Sequence, residues 1–166
     1  MFRFKLFAVL TATLFVLGIA MIDCAVAGEK IKVTAAGVTT KWQQMEVSDE
    51  EGHVIAIGES KAVYFDEKTG ERHHVGIGYN TYDINLKTGQ GTLEGYGVSI
   101  YPNGDKAFRT QEGKPVGKGH WKGTWTFTKG TGKYEGVKGG GTWETKSIGP
   151  GISHYNVDGE MELKSQ

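Results

Sequence analysis

The segment Gly123–Glu144, GTWTFTKGTGKYEGVKGGGTWE, decides how this chain folds. It mixes glycines with tryptophan, tyrosine, phenylalanine and threonine, whereas flexible linkers lack large apolar residues. A phosphate-binding loop needs backbone N–H groups converging at the start of a helix. No helix can follow Gly130–Gly136 here, because three glycines arrive at 139–141. The segment therefore predicts a strand, a tight turn or single helical turn at 132–137 with Tyr134 pointing inward, and a second strand.

Turn signals recur along the rest of the chain, as in SDEEG at 48–52, DEKTG at 66–70 and PNGD at 102–105. Segments of about 6 to 13 residues rich in β-branched and aromatic residues lie between these signals and read as strands. Eight or nine such segments run from near Ile31 to near Leu163, and none sustains the period of a long helix. We predict an all-β fold, a single antiparallel up-and-down barrel of eight (eight or nine) strands, because closure removes both sheet edges.

The first residues have the three parts of a secretory signal peptide. Arg3 and Lys5 precede the apolar run Leu6–Ile22, and Ala25-Val26-Ala27 forms a cleavage site. We predict a signal peptide at 1–27 and one barrel domain at 28–166, in a protein exported to the periplasm or secreted. Cys24 is the only cysteine, so the mature chain offers neither a disulfide framework nor a thiol nucleophile.

Charge gives no sign of a polyanionic partner. The chain has 19 basic and 19 acidic side chains. Loss of Arg3, Lys5 and Asp23 with the signal peptide leaves 17 and 18. A net charge near −1 predicts no nucleic-acid partner and, after cleavage, no membrane partner. No sequence motif predicts a cofactor.

The corner sequence GTGKYEGVKGGG resembles the G-T-G-x-[FY]-x-G-x-x-G-x-G corner of the allene oxide cyclase-like and dirigent-like β-barrel superfamily. The matching positions are Gly130, Gly132, Tyr134, Gly136, Gly139 and Gly141. The resemblance is sharp over 123–144 and extends through strand rhythm over about 50–163. It implies an eight-stranded barrel with a hydrophobic interior, often in an oligomer. The catalytic segments and the barrel cysteine of the plant cyclases have no counterpart here, so no catalytic residue is carried over.

One predicted strand, His53–Phe65, carries a carboxylate on an apolar stripe. Ile55, Ile57, Glu59, Lys61, Val63 and Phe65 share a face by alternation. If this face lines the interior, desolvation would raise the pKa of Glu59 and make it a candidate catalytic or ligand-anchoring group. A bulge at Gly58 would instead turn Glu59 to solvent, and pairing with Lys61 or Arg109 is a further alternative.

Four other residues are candidates for contacting a ligand. Trp121 and Trp125 share one face of the strand that leads into the corner, where they form the core or line a cavity. Tyr79 would supply a polar tip, although aromatic residues are common in strands for packing alone. Arg109 lies in the middle of a predicted strand and would pair with a ligand carboxylate or with Glu59.

The histidines do not predict a metal site. His73 and His74 are adjacent in a predicted strand and should point to opposite faces unless a bulge intervenes. His53, His120 and His154 are isolated along the chain. We therefore predict no metal.

Taken together, these features predict a barrel that binds a small apolar or amphipathic molecule in its interior, with no assignable reaction and with a possible homo-oligomer. One alternative is a structural or protein-interaction barrel with a packed core. Another is an enzyme of the cyclase or isomerase type. A binding barrel requires a cavity, which a scaffold does not.

Overall fold

The computed structural model describes residues 28–164 of the chain. The predicted signal peptide at 1–27 lies outside the described residues. Within 28–164, no helix is long and apolar enough to cross a membrane.

Eight strands account for most of the described chain. In chain order they are β1 Glu29–Glu46, β2 His53–Asp66, β3 Arg72–Asn85, β4 Gln90–Ile100, β5 Lys106–Gly117, β6 His120–Gly130, β7 Lys138–Gly149 and β8 Ile152–Glu162. The only helical element among residues 28–164 is a single 3₁₀ turn, Gly132–Tyr134. β1 has 18 residues and is longer than the sequence predicted.

The strands form one closed barrel in chain order, each antiparallel to its neighbours. Strands β1 and β8 close the barrel through pairs that run from Glu29 opposite Met161 to Val38 opposite Ile152. Closure gives every strand two partners, although β1 beyond Val38 pairs only with β2. The predicted fold class, an eight-stranded antiparallel up-and-down barrel, is confirmed.

Several strand pairings contain register shifts, and those of β2 with β1 and with β3 alter which side chains face inward. In β1 the pairing with β2 skips one residue between Thr39 and Lys41. In β3 the pairing with β2 skips His73, because Tyr64 is opposite His74 and Phe65 is opposite Arg72. A bulge of this kind inserts one unpaired residue and re-aims its side chain.

The glycine corner closes one end of the barrel. Gly132 has φ +55°, a backbone conformation that favours glycine, and starts the 3₁₀ turn. The Asp105 carboxylate fixes this turn by accepting a hydrogen bond from the Lys133 backbone N–H at 2.9 Å. Tyr134 is only 7% exposed and stacks on Tyr101 with ring centroids 3.8 Å apart. These two rings cover the end of the barrel that carries the corner.

Aromatic rings lie flat against glycines of the neighbouring strands inside the barrel. A Cβ placed on Gly123 would come within 2.6 Å of the Trp143 ring. A Cβ on Gly159 would come within 2.5 Å of the Trp125 ring. Glycine is therefore required where a strand passes beneath a large ring. The Trp125 and Trp143 rings therefore lie directly against the backbone of the barrel strands.

Candidate functional site

A cavity of about 170 Å³ occupies the barrel interior. Polar side chains lie mainly on β2 to β5, namely Ser60, His73, His74, Asn80, Ser99, Arg109 and Gln111. The facing wall is formed largely by β6, β7, β8 and β1 and is mostly apolar, with Trp125, Phe127, Trp143, Val157, Ile31 and Val33. The cavity thus has a polar wall and an apolar wall.

The cavity opens at the end opposite the corner. Thr39, Trp121, Thr145 and Ser153 line it there and are exposed or half-buried. Trp42 lies close by and packs on Tyr82 with ring centroids 4.9 Å apart. At the other end Tyr134 and Tyr101 are both buried. A ligand would therefore enter between the aromatic residues of the open end.

The indole rings of the apolar wall are held by backbone hydrogen bonds. Trp125 donates from Nε1 to the Thr142 carbonyl at 3.3 Å, and Trp143 donates from Nε1 to the Thr124 carbonyl at 3.1 Å. Phe127 packs edge-on against Trp125 at a centroid distance of 4.8 Å. With their N–H groups satisfied, the rings present only apolar surface to the cavity.

Hydrogen bonds between neighbouring strands organise the polar wall. Arg109 donates from Nη1 to the Ser99 hydroxyl at 2.9 Å. Gln111 donates from Nε2 to Asn80 Oδ1 at 2.6 Å, and the Asn80 amide in turn lies 3.5 Å from the Tyr82 hydroxyl. The wall is therefore held in place before any ligand binds.

His73 and His74 both line the cavity, so the expectation that they point to opposite faces is wrong. Their Nδ1 atoms are 2.7 Å apart, which requires one ring to donate and the other to accept. The bulge at His73 is the cause, because an unpaired residue escapes strict alternation. His74 also stacks on Tyr64 with ring centroids 4.3 Å apart.

Burial shifts the protonation of the groups in the cavity. Burial lowers the pKa of His74 well below its ordinary value, and the charge of Arg109 adds to this effect. The pKa of His73 is lowered by burial as well. Burial raises the pKa of Tyr155 to about 12 and also raises that of Tyr101. At neutral pH these histidines and tyrosines are therefore uncharged.

Glu59 lies outside the cavity, contrary to the interior position considered for it. The β2 register is continuous at Gly58, and the inner face of β2 carries small residues and Tyr64, not the apolar stripe. Glu59 accepts a hydrogen bond from Thr40 Oγ1 at 2.8 Å and pairs with Lys41 at 3.0 Å. These contacts lower its pKa, the reverse of the shift that desolvation would cause. Its ion pair with Lys61 is long, at 4.0 Å.

The structure divides the other four candidates between the interior and the surface. Trp125 is 4% exposed and lines the apolar wall, while Trp121 lines the open end and packs on Tyr82 at 5.7 Å. Arg109 lines the polar wall. Tyr79 lies on the outer face, 45% exposed, and does not line the cavity. Arg109, Trp121 and Trp125 are thus brought together, and Glu59 and Tyr79 are not.

Sequence reasoning missed most of the polar wall. Asn80, Ser99 and Gln111 are common surface residue types, and the glycines opposite them are known only from the strand pairing of the structure. The bulge that turns His73 inward has no sequence signal of its own. Among residues 28–164, no group of three or more histidine, cysteine or acidic side chains is arranged to hold a metal ion.

The fold and site define a small closed antiparallel barrel with a ligand-sized interior. No family model matches the chain, and no curated protein matches it. Among solved structures, the pterocarpan synthase dirigent protein PsPTS1 is similar, with a TM-score of 0.57 and 9% identity over 83% of this chain and 96% of that one. The predicted resemblance to dirigent-like barrels is confirmed for the fold.

Two further solved structures match over similar lengths. The pterocarpan synthase dirigent protein GePTS1 has a TM-score of 0.49 and 9% identity over 84% of this chain and 88% of that one. Pyocyanin demethylase has a TM-score of 0.47 and 12% identity over 81% of this chain and all of that one.

Proposed function

We propose that this protein binds a small apolar or amphipathic molecule inside its barrel. The observation that carries the proposal is the cavity of about 170 Å³ with one polar and one apolar wall. Binding sites are typically concave and apolar, with a few placed polar groups. A scaffold with a fully packed core would have no such space.

The size of the cavity limits the ligand. Drug-sized ligands occupy pockets of roughly 300–1,000 Å³, whereas an engineered apolar cavity of about 150 Å³ accommodates benzene. A volume of about 170 Å³ therefore suits a molecule with a single ring. The flat rings of Trp125, Phe127 and Trp143 favour a planar guest.

The proposal includes an exported protein that acts in the periplasm or outside the cell after removal of residues 1–27. It also includes self-association. The apolar stripe of β2 is on the outer surface, where Ile57 is 60% exposed and Phe65 is 38% exposed. Exposed apolar patches of this kind support contact with another protein surface, such as a second copy.

Native mass spectrometry of the protein, expressed as the full chain and purified from its export compartment, tests the binding function. We expect a bound small molecule that is released on denaturation. The matched variants are Val157→Phe, which adds a ring inside the cavity, and Val38→Phe, which adds the same ring on the outer face. The first should lose the molecule and the second should keep it.

If the protein is purified without a bound molecule, its binding of benzyl alcohol is measured by tryptophan fluorescence. We expect this binding to be saturable. Trp121, Trp125 and Trp143 line the cavity and report on its occupancy. Binding that Val157→Phe leaves intact would place the ligand elsewhere. No binding of either kind would contradict the proposal and favour a scaffold.

A further inference from the structure

Among residues 28–164, Arg109 is the only aspartate, glutamate, lysine or arginine that lines the cavity. No carboxylate of residues 28–164 forms a salt bridge with its guanidinium, and its one side-chain hydrogen bond within that range goes to the neutral Ser99 hydroxyl. A guanidinium carries five N–H donors, so most of them are left for another acceptor. The interior therefore holds one positive charge without a protein counterion among the described residues.

The backbone fixes the position of this guanidinium. Arg109 is opposite Gly97 in the β4–β5 ladder. A Cβ on Gly97 would lie 2.5 Å from Arg109 Cζ, so the guanidinium lies against a strand that has no side chain there. Ser99, which is buried, holds the Nη1 side. Gly97 thus leaves the space that the guanidinium occupies, and Ser99 accepts its hydrogen bond.

The neighbours of Arg109 do not neutralise it. His73 and His74 share its wall and are uncharged at neutral pH, because burial lowers the pKa of both. Tyr101 is uncharged as well, because burial raises its pKa. An unpaired charge in a low-dielectric interior is unfavourable for folding. Such a charge is compensated when an anionic ligand binds, and its attraction for that ligand is strengthened by the same surroundings.

Aromatic side chains lie beside Arg109 on the neighbouring strand β6. Phe127 is the residue paired with Arg109 in the β5–β6 ladder, and Trp125 is paired with Gln111 one step nearer the open end. A planar ring fits against these side chains, and a carboxylate has the flat, two-oxygen shape that the guanidinium fork binds with two parallel hydrogen bonds.

We propose that the cavity binds a single-ring aromatic monocarboxylate, with its carboxylate on Arg109 and its ring against Trp125 and Phe127. This inference rests on the proposed function, because it assigns a chemical class to the ligand of the same cavity. The carboxylate lies deep, towards the closed end, and the ring substituents face the open end.

Isothermal titration calorimetry with three probes of nearly the same size tests this assignment. Benzoate carries the charge, benzamide is its neutral isostere, and benzyl alcohol is a neutral ring. The variant is Arg109→Gln, and the matched control is Arg72→Gln. Arg72 is exposed at the start of β3 and does not line the cavity.

We expect the unmodified protein to bind benzoate about 10- to 100-fold more tightly than benzamide, the range that a charge-assisted hydrogen bond supports. Arg109→Gln should abolish this preference and still bind benzyl alcohol, which also shows that the variant is folded. Arg72→Gln should keep the preference. The ligand-free Arg109→Gln protein should be at least as stable as the unmodified protein, because the unpaired charge is removed, whereas a merely structural role for Arg109 predicts a loss of stability.

Equal affinity of the unmodified protein for benzoate and benzamide overturns the assignment, and this comparison needs no variant. If benzyl alcohol still binds in that case and Val157→Phe blocks it, the proposed binding function stands and only the anion site is wrong. If none of the three probes binds and native mass spectrometry shows no released molecule, both the function and the anion site are wrong. A benzoate preference that survives in Arg109→Gln overturns the role of Arg109.

Discussion

His53 and His74 are the same residue type in opposite surroundings. His53 lies at the β1–β2 end of the molecule, with Nδ1 2.6 Å from Asp49 and Nε2 2.8 Å from Asp83. The hydrogen bonds to these carboxylates raise its pKa above 6.5. His74 is buried between Tyr64 and the Arg109 side of the cavity, and burial lowers its pKa well below 6.5.

The two histidines should therefore titrate apart. We expect the ring-proton NMR signals of His53 to titrate above pH 6.5, because its pKa is raised, and those of His74 to stay in the neutral form well below pH 6.5, because burial lowers its pKa. Asparagine variants at each position assign the signals. Two titrations that both fall near 6.5 would contradict the buried environment of His74 and the paired environment of His53.

These shifts act on stability with opposite signs. For His53 the folded pKa is raised, so its contribution is fully present below pH 6.5 and is lost as the pH rises through the folded value. For His74 the unfolded chain takes up a proton below pH 6.5 while the folded protein does not, so acidification below that value destabilises the barrel. Replacing His74 with asparagine should reduce the loss of stability on acidification.

At the scale of the strand, glycine allows an aromatic ring of one strand to lie directly against the backbone of its neighbour. An added Cβ on Gly123 would meet the Glu112 carbonyl oxygen and the Trp143 ring together. Gly117 is a strand glycine with open surroundings, since its nearest neighbour would be the His120 Cβ at 3.8 Å. The same residue type is thus required in one strand position and replaceable in another.

Gly123→Ala should destabilise the protein by about 1–3 kcal/mol, because neither the Glu112 backbone nor the Trp143 ring has room to move away. Gly117→Ala should change the free energy of unfolding by less than about 0.5 kcal/mol. Urea unfolding followed by tryptophan fluorescence measures both. Similar stability of the two variants would mean that the Trp143 ring does not rest on β6.

Strand number, antiparallel order and the glycine corner were predictable because turn signals and residue types are local. The orientation of β2 was not, because alternation shows which residues share a face and leaves open which face is inward. The apolar side chains on the Ile57 face of β2 suggested that this face points into the barrel. The interior instead takes the small residues of β2, such as Ala56 and Ala62, since rings from other strands fill the space. The cavity itself depends on contacts between distant strands.

At the scale of the whole molecule, the two ends of the described chain meet. Glu29 is paired with Met161, and a Cβ on Gly28 would lie 3.4 Å from the Glu162 side chain. All the remaining strand pairs join strands that are consecutive in sequence. Among residues 28–164, the β1–β8 closure is therefore the only strand pairing that joins strands far apart in sequence.

A circular permutant that joins residues 28 and 164 by a short glycine-serine linker should fold to the same barrel when it is opened between Lys68 and Thr69, an exposed turn. The control permutant is opened between Gly132 and Lys133, which frees Tyr134 from its stacking on Tyr101. We expect the first to retain benzyl alcohol binding and cooperative urea unfolding. The second should be clearly less stable, and equal behaviour of the two would contradict a structural role for the corner.

The stacked pair Tyr101 and Tyr134 closes one end of the barrel, so the interior is not open at both ends. A ligand bound in the interior would leave through the same open end by which it entered, so the part of the ligand that enters first would leave last. Under the proposed binding function, the protein would take up and release its ligand at the same end and would not pass a compound through itself. A ligand longer than the cavity would protrude from the open end beside Trp42 and Trp121. A second protein could contact the protruding part there before the ligand is released.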